Sequence, residues 1–220
     1  MARVIVVGSI NQDVTVTVDR FPTPGETLSG SSLTYGLGGK GANQAAAAAR
    51  SGIPTLFVGA VGTDLAGHSL RTHLAAHGVD VTHLREVDSP SGTALITVAA
   101  SGENTIILDA GANRASSIAH AKASLFPAPS DIVVLQAEIP PAANAAAIEW
   151  AHSFGARVLL NLAPARPTDP TTLSRVDILV VNETEAGLTL GMPAPATPTE
   201  AIGVARALRG MGPRHVVVTL

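Results

Sequence analysis

Six short runs of the chain are apolar with little alternation: Val4 to Val7, Leu56 to Val61, Ile132 to Leu135, Val158 to Leu162, Ile178 to Val181 and His215 to Leu220. A strand presents successive side chains to opposite faces, so such runs fit strands covered on both faces, as in a parallel sheet. Helical segments are predicted between them, at Ala42 to Arg50, Gly67 to His77, Ser117 to Leu125, Pro141 to Phe154, Glu183 to Leu190 and Thr199 to Met211. Pro141 suits a first helical turn, and Gly52, Gly78 and Gly155 suit helix ends. The alternation predicts an α/β fold with a doubly wound, mostly parallel sheet flanked by helices.

Two regions depart from this rhythm. Val14 to Val18 alternates at period two, ends in the turn Pro22-Thr23-Pro24-Gly25, and leads into an extended segment from Glu26 to Tyr35. Thr93 to Ala99 and Asn104 to Leu108, joined across Ser101-Gly102-Glu103, read as a hairpin. These strands, drawn from about residues 13–36 and 92–109, have apolar faces too thin for a core of their own. They are expected to form a small projecting β-sheet that serves residues 1–220 as a lid or a dimer surface.

Composition narrows the classes of function. With 220 residues, 46% of them hydrophobic and 14% charged, the chain can bury a full α/β core. A net charge of -3 offers no footprint for nucleic acid. Cysteine is absent, which excludes disulfides, thiolate metal sites and a cysteine nucleophile. The opening apolar run is too short for a signal core, and no uncharged stretch is long enough for a bilayer, so a cytoplasmic protein without a membrane partner is expected.

The chemistry concentrates at Gly38-Gly39-Lys40-Gly41-Ala42-Asn43, which opens into an alanine-rich helix. Glycines allow close backbone approach, Lys40 adds a positive donor, and Asn43 adds both donor and acceptor, a surface suited to a small polyhydroxylated molecule. Residues Gly36 to Gly41 also match GxGxxG, with Asp64 at a distance suited to a ribose-binding acid, so an NAD-dependent oxidoreductase is an alternative. Against it, that fingerprint should follow the first core strand, which instead ends in Gly8-Ser9-Ile10-Asn11. A phosphate loop is excluded because Gly41 follows Lys40 where Ser or Thr is required.

Asn11-Gln12-Asp13 follows the first strand, at the edge where open parallel sheets bind ligands; a turn or cap is the better explanation of such residues taken alone, and pairing with the glycine and lysine cluster reverses that preference. Lys122 is the other lysine of the chain, which otherwise uses arginine. Glu138 closes one apolar run, and Asn182-Glu183-Thr184-Glu185 closes another. Asn182 and Glu185 fit a capping box, and a carboxylate beside an amide can also hold Mg²⁺ through water next to phosphates. His73 and His77 enclose no glutamate, which leaves them as surface histidines, and no serine stands in a nucleophile elbow.

Taken together, Gly8 to Asp13, Phe21 to Glu26, Gly38 to Asn43, Asp109 to Asn113, Asn161 to Arg166 and Asn182 to Glu185 resemble the ribokinases, within the phosphofructokinase B-type carbohydrate kinases. The resemblance implies a ribokinase-like fold and ATP-dependent phosphorylation of ribose to ribose 5-phosphate. It implies a sugar site of Asn11, Asp13, Gly39, Lys40, Gly41, Asn43 and Glu138. It further implies a nucleotide side with Asn182, Glu185 and Thr219, Glu185 facing Mg²⁺, and a homodimer through the lid. The family's second glycine-rich signature, which carries its catalytic aspartate, does not occur before Leu220, and its monovalent cation (K⁺) site is expected beyond that residue too. Little turnover is therefore expected of these 220 residues alone, and a non-catalytic sugar-binding or assembly module is the alternative.

Overall fold

The computed structural model describes residues 2–220. The strands are β1 (Val4–Val7), β2 (Asn11–Val18), β3 (Ser32–Gly38), β4 (Thr55–Gly62), β5 (Leu84–Val87), β6 (Gly92–Ala99), β7 (Asn104–Asp109), β8 (Ile132–Gln136), β9 (Arg157–Asn161), β10 (Ile178–Asn182) and β11 (His215–Thr219). The helices are α1 (Lys40–Arg50), α2 (Leu65–Ala76), α3 (Pro141–Ser153), α4 (Pro170–Leu173), α5 (Glu183–Leu190) and α6 (Pro198–Gly210), with a 3-10 helix at Gly111–Ala115.

Seven strands form one parallel sheet in the order β11-β10-β9-β8-β1-β4-β5, and four form a second sheet in the order β3-β2-β6-β7. The second sheet is mixed: β2 pairs with β6 in parallel, and the outer pairs are antiparallel. The predicted α/β class, with a smaller separate sheet, is what the chain adopts.

β1 shows why its sequence lacks alternation. Ile5 and Val7 enter a core shared with Leu135, Leu160, Leu179, Ile148 and Trp150, whereas Val6 enters a second core with Phe57, Leu70, Leu74 and Ala45. Both faces are therefore dry at the centre of the sheet. Alanines keep α1 slim, and Ala42 and Ala45 lie fully buried against that centre. Toward β11 the covering becomes one-sided: Val158, Leu160, Leu179 and Val181 are buried, whereas Leu159 and Val180 are only partly covered and Val217 is exposed.

Two expectations are corrected, and one strand was not foreseen. Ser117 to Leu125 forms no continuous helix, only separate turns such as Ala121 N–H to Ile118 C=O at 3.0 Å. Ile118, Ala121 and Leu125 are buried at helical spacing, but the Ser117 hydroxyl takes the Ala119 N–H and competes with a helical start. The segment after Glu26 becomes a strand only at Ser32, because the loop before it is closed by the Arg20–Glu26 ion pair. β5 gave no signal, being four residues with two charges at the sheet's edge.

At the amino end of the sheet, the fully buried Asp131 carboxylate accepts from Arg3 N (2.9 Å), Arg3 Nε (3.0 Å), Arg3 Nη2 (2.7 Å) and Ala128 N (2.8 Å). Burial would raise its pKa, but the bonds from Arg3 and Ala128 outweigh it and hold the group below the ordinary aspartate range. A lowered pKa means stability that is present above the unfolded value and lost as pH falls through the folded one. Arg3→Met should cost about 2–4 kcal/mol in urea unfolding at neutral pH, because it strands a buried charge, and the loss should shrink on acidification. A midpoint unchanged at neutral pH would refute this.

Candidate active site

The site lies where the two sheets meet. Only Gly8, Ser9 and Ile10 separate β1 from β2, and only Gly39 separates β3 from α1. The first N–H groups of α1 have no intrahelical partners, and Gly39 provides no side-chain cap. Glu138 fills the gap from the end of the β8 segment, its Oε2 accepting from Lys40 N at 3.0 Å and from Ser9 Oγ at 2.6 Å. Ser9 Oγ accepts from Gly41 N at 3.3 Å, and Ser9 C=O accepts from Ala42 N at 2.9 Å. A carboxylate at this helix end also meets the positive end of the macrodipole.

The glycines make this contact possible. A Cβ on Gly39, at φ 89°, would lie 2.9 Å from Ile10 Cα, and one on Gly41 would lie 2.7 Å from Ser9 N. The Gly41 N–H is thus engaged by Ser9. Gly38 clears another space, since a Cβ there would lie 1.9 Å from Asp13 Oδ1.

The Asp13 carboxylate makes no hydrogen bond with the described side chains or backbone, and its pKa is raised, first by burial and then by the charge of Glu138. Lys40 is half-buried, and no ion pair among the described residues includes it. Asn11 is buried and tied to Asn113, whose Nδ2 donates to Asn11 Oδ1 at 2.7 Å. Asn11, Asp13, Gly39, Lys40, Gly41 and Glu138 therefore converge on one seam. Asn43 stands one turn into α1, exposed, its backbone N–H bonded to Gly39 C=O.

Asn182 and Glu185 occupy the carboxyl end of β10, where they form a complete capping box: Glu185 N donates to Asn182 Oδ1 at 2.7 Å, and Asn182 N donates to Glu185 Oε2 at 2.9 Å. Thr219 lies opposite Asn182 in the β10–β11 register. No grouping of three or more His, Asp or Glu among the described residues could hold a metal. The second oxygen of Glu185 keeps acceptor capacity, and one carboxylate with ligand phosphates and water suits Mg²⁺.

Sequence reasoning missed Ser9 and the polar chain that joins the two halves. Gln136 Nε2 donates to Gln44 Oε1 (2.7 Å), Gln44 Nε2 to Asn161 Oδ1 (3.2 Å), and Asn161 Nδ2 to Val180 C=O (3.2 Å). No spacing rule links these residues, which meet only through sheet order. Asp64, weighed as a cofactor acid, instead caps α2 and accepts from Gly67 N, Ser91 N and Ser91 Oγ. His77 caps the other end of α2. A cavity of about 480 Å³ beside Arg166 and Leu188 to Gly191 contains none of the converging residues.

A parallel sheet with polar side chains gathered at its carboxyl edge, joined there to a second sheet, has the layout of an α/β protein that binds small molecules. The pfkB family carbohydrate kinase model matches residues 1–220, and the chain belongs to that family. It is 38% identical over 217 residues to the ribokinase of Haemophilus influenzae, covering 98% of this chain and 71% of that protein. To the ribokinase of Bacillus subtilis it is 40% identical over 190 residues, covering 86% of this chain and 64% of that protein. The chain thus spans about two thirds of the length of these curated relatives. The structure of Arabidopsis thaliana ribokinase complexed with ribose and ATP superposes with a TM-score of 0.88 at 33% identity, covering 99% of this chain and 72% of that one.

Gly38→Ala should displace the Asp13 carboxylate. Binding of any sugar that uses Asp13 should weaken at least tenfold by calorimetry, with a small change in melting temperature, because the clash falls on a movable side chain. Affinity equal to the parent's would remove Asp13 from the site.

Proposed function

We propose that the seam between the sheets binds D-ribose for ATP-dependent phosphorylation at its 5-hydroxyl. The observation that carries this reading is a partly buried carboxylate, Asp13, left without a hydrogen-bond partner, together with a partly buried lysine, Lys40, that joins no ion pair among the described residues. Burying polar groups unpaired is costly, and a polyol offers what they lack. A sugar hydroxyl donates to Asp13, while Lys40 and Asn11 donate to hydroxyl oxygens and Asn43 reaches in from α1. Gly39 and Gly41 let the α1 terminus close against the same seam, and Glu138 holds that terminus in register. The similarity to ribokinases, one of them solved with ribose and ATP, supports this choice of substrates.

On the nucleotide side, Asn182, Glu185 and Thr219 would face the ATP phosphates, with Glu185 toward Mg²⁺ through water. When bound, the metal neutralises phosphate charge. The residues of this chain act mainly by positioning: they hold the sugar in one orientation and surround it with matched donors and acceptors.

Two copies would meet through the second sheet. Leu33, Tyr35, Leu95, Ile106, Ile107 and Leu108 are all exposed there, and every residue of β7 is exposed. Ile107→Lys should shift the mass measured by light scattering toward the monomer. A parent chain that is already monomeric would refute this.

Calorimetry tests the site directly. Ribose should bind saturably, and Asp13→Ala and Asn43→Ala should each weaken it by about 1–3 kcal/mol, leaving ATP affinity unchanged. Unaltered ribose affinity in both variants would remove the assignment. Acidification provides a second check. An ionised Asp13 accepts a hydrogen bond from a hydroxyl more strongly than the protonated acid does, so ribose affinity should fall as pH drops through a midpoint above the ordinary aspartate value of 3.8. Asp13→Asn should abolish that inflection.

A further inference from the structure

We infer that Asn113, on the 3-10 helix after β7, is a positioning residue that fixes Asn11 as a hydrogen-bond donor toward the sugar. The inference rests on the ribose reading of the seam. It starts from a group whose polarity is certain. The backbone N–H of Ile10 can only donate, and it meets the Asn113 side chain at 2.9 Å, so that atom is the amide oxygen. The other end of Asn113 is then its NH₂ group, with two protons to place. One goes to Ile10 C=O at 3.1 Å and the other to the Asn11 side chain at 2.7 Å, so the Asn11 atom it meets must be oxygen.

The remaining end of Asn11 is therefore its NH₂ group, which donates to no described residue. Turning the Asn11 amide over would set two NH₂ groups face to face in a buried space, where Asn113 is 1% and Asn11 3% exposed. The space is tight as well. A Cβ on Gly92 would lie 2.2 Å from Asn113 Nδ2 and 2.3 Å from Asn11 Oδ1, so only glycine fits against the pair.

Asn11 and Asp13 stand two residues apart on β2 and share a face of that strand. With Asn11 held as donor and an ionised Asp13 able only to accept, the wall has a fixed direction. It takes a polyol in which one hydroxyl oxygen accepts from Asn11 while another hydroxyl donates to Asp13. The return of the second sheet into the main domain thus sets sugar specificity through a residue that does not touch the sugar.

Asn113→Asp tests this, because it keeps the acceptor for Ile10 N–H but turns the donor end into a second acceptor, which favours the overturned Asn11 amide. Ribose affinity by calorimetry should fall tenfold or more, whereas the same substitution made in an Asn11→Ala background should change it less than threefold. Equal losses in both backgrounds would show a merely structural role and overturn the inference. Side-chain amide exchange in the unaltered chain, read by ¹⁵N NMR without sugar, gives an independent measure should the variant fail to fold. The Asn113 protons should exchange slowly and the Asn11 protons rapidly, the latter slowing when ribose is added. A protected Asn11 amide in the sugar-free chain would overturn the donor assignment. Absence of ribose binding by the unaltered chain would instead strike the functional reading, and with it the sugar-facing half of this inference.

Discussion

The amino end of α1 rests against the Ser9–Ile10 backbone, and the rest of the site depends on that contact. It works because Gly39 and Gly41 have no Cβ, and because Glu138 and Ser9 supply acceptors to N–H groups that a helix start leaves open. One carboxylate oxygen thereby joins three separate stretches of chain: the link after β1, the start of α1 and the end of β8. Lys40 is carried to the seam by its own backbone bond.

Around this joint, polar groups fall into two kinds. Glu138, Ser9, Asn113 and Asp64 are satisfied within the protein and hold geometry. Asp13 is partly buried without a partner, with its pKa raised by desolvation and by Glu138. An acceptor left open in a partly buried position is one that a donor on a ligand can satisfy. The second sheet contributes more than cover, because β2 carries Asn11 and Asp13 while the segment after β7 carries Asn113.

The residues proposed for the nucleotide side follow a different logic. Asn182 and Glu185 are consumed in part by capping α5, so the carboxylate's direction is set by a helix terminus before any ligand arrives. The amide chain from Gln136 through Gln44 to Asn161 runs beneath both halves and ends on a β10 carbonyl. Each amide in it is oriented by the next, which makes α1 and β10 parts of one hydrogen-bonded framework.

The sequence by itself determined the layered fold, because continuous apolar runs separated by helical periods admit few arrangements other than a parallel sheet under helices. It also marked Asn11, Asp13, Glu138, Asn182 and Glu185, since polar residues directly after apolar runs fall at the sheet's carboxyl edge, and Lys40, which stands among glycines. It misled at Ser117 to Leu125, where burial at helical spacing survived without the helix. Only tertiary structure decided which polar groups meet. Ser9 is 129 residues from Glu138 and Asn113 is 102 from Asn11, and no local period encodes a hydrogen bond across such distances. Strand order and the absence of a side chain at Gly38, Gly39, Gly41 and Gly92 bring them together, and whether each amide or acid is spent on the fold or left for a ligand follows from those contacts alone.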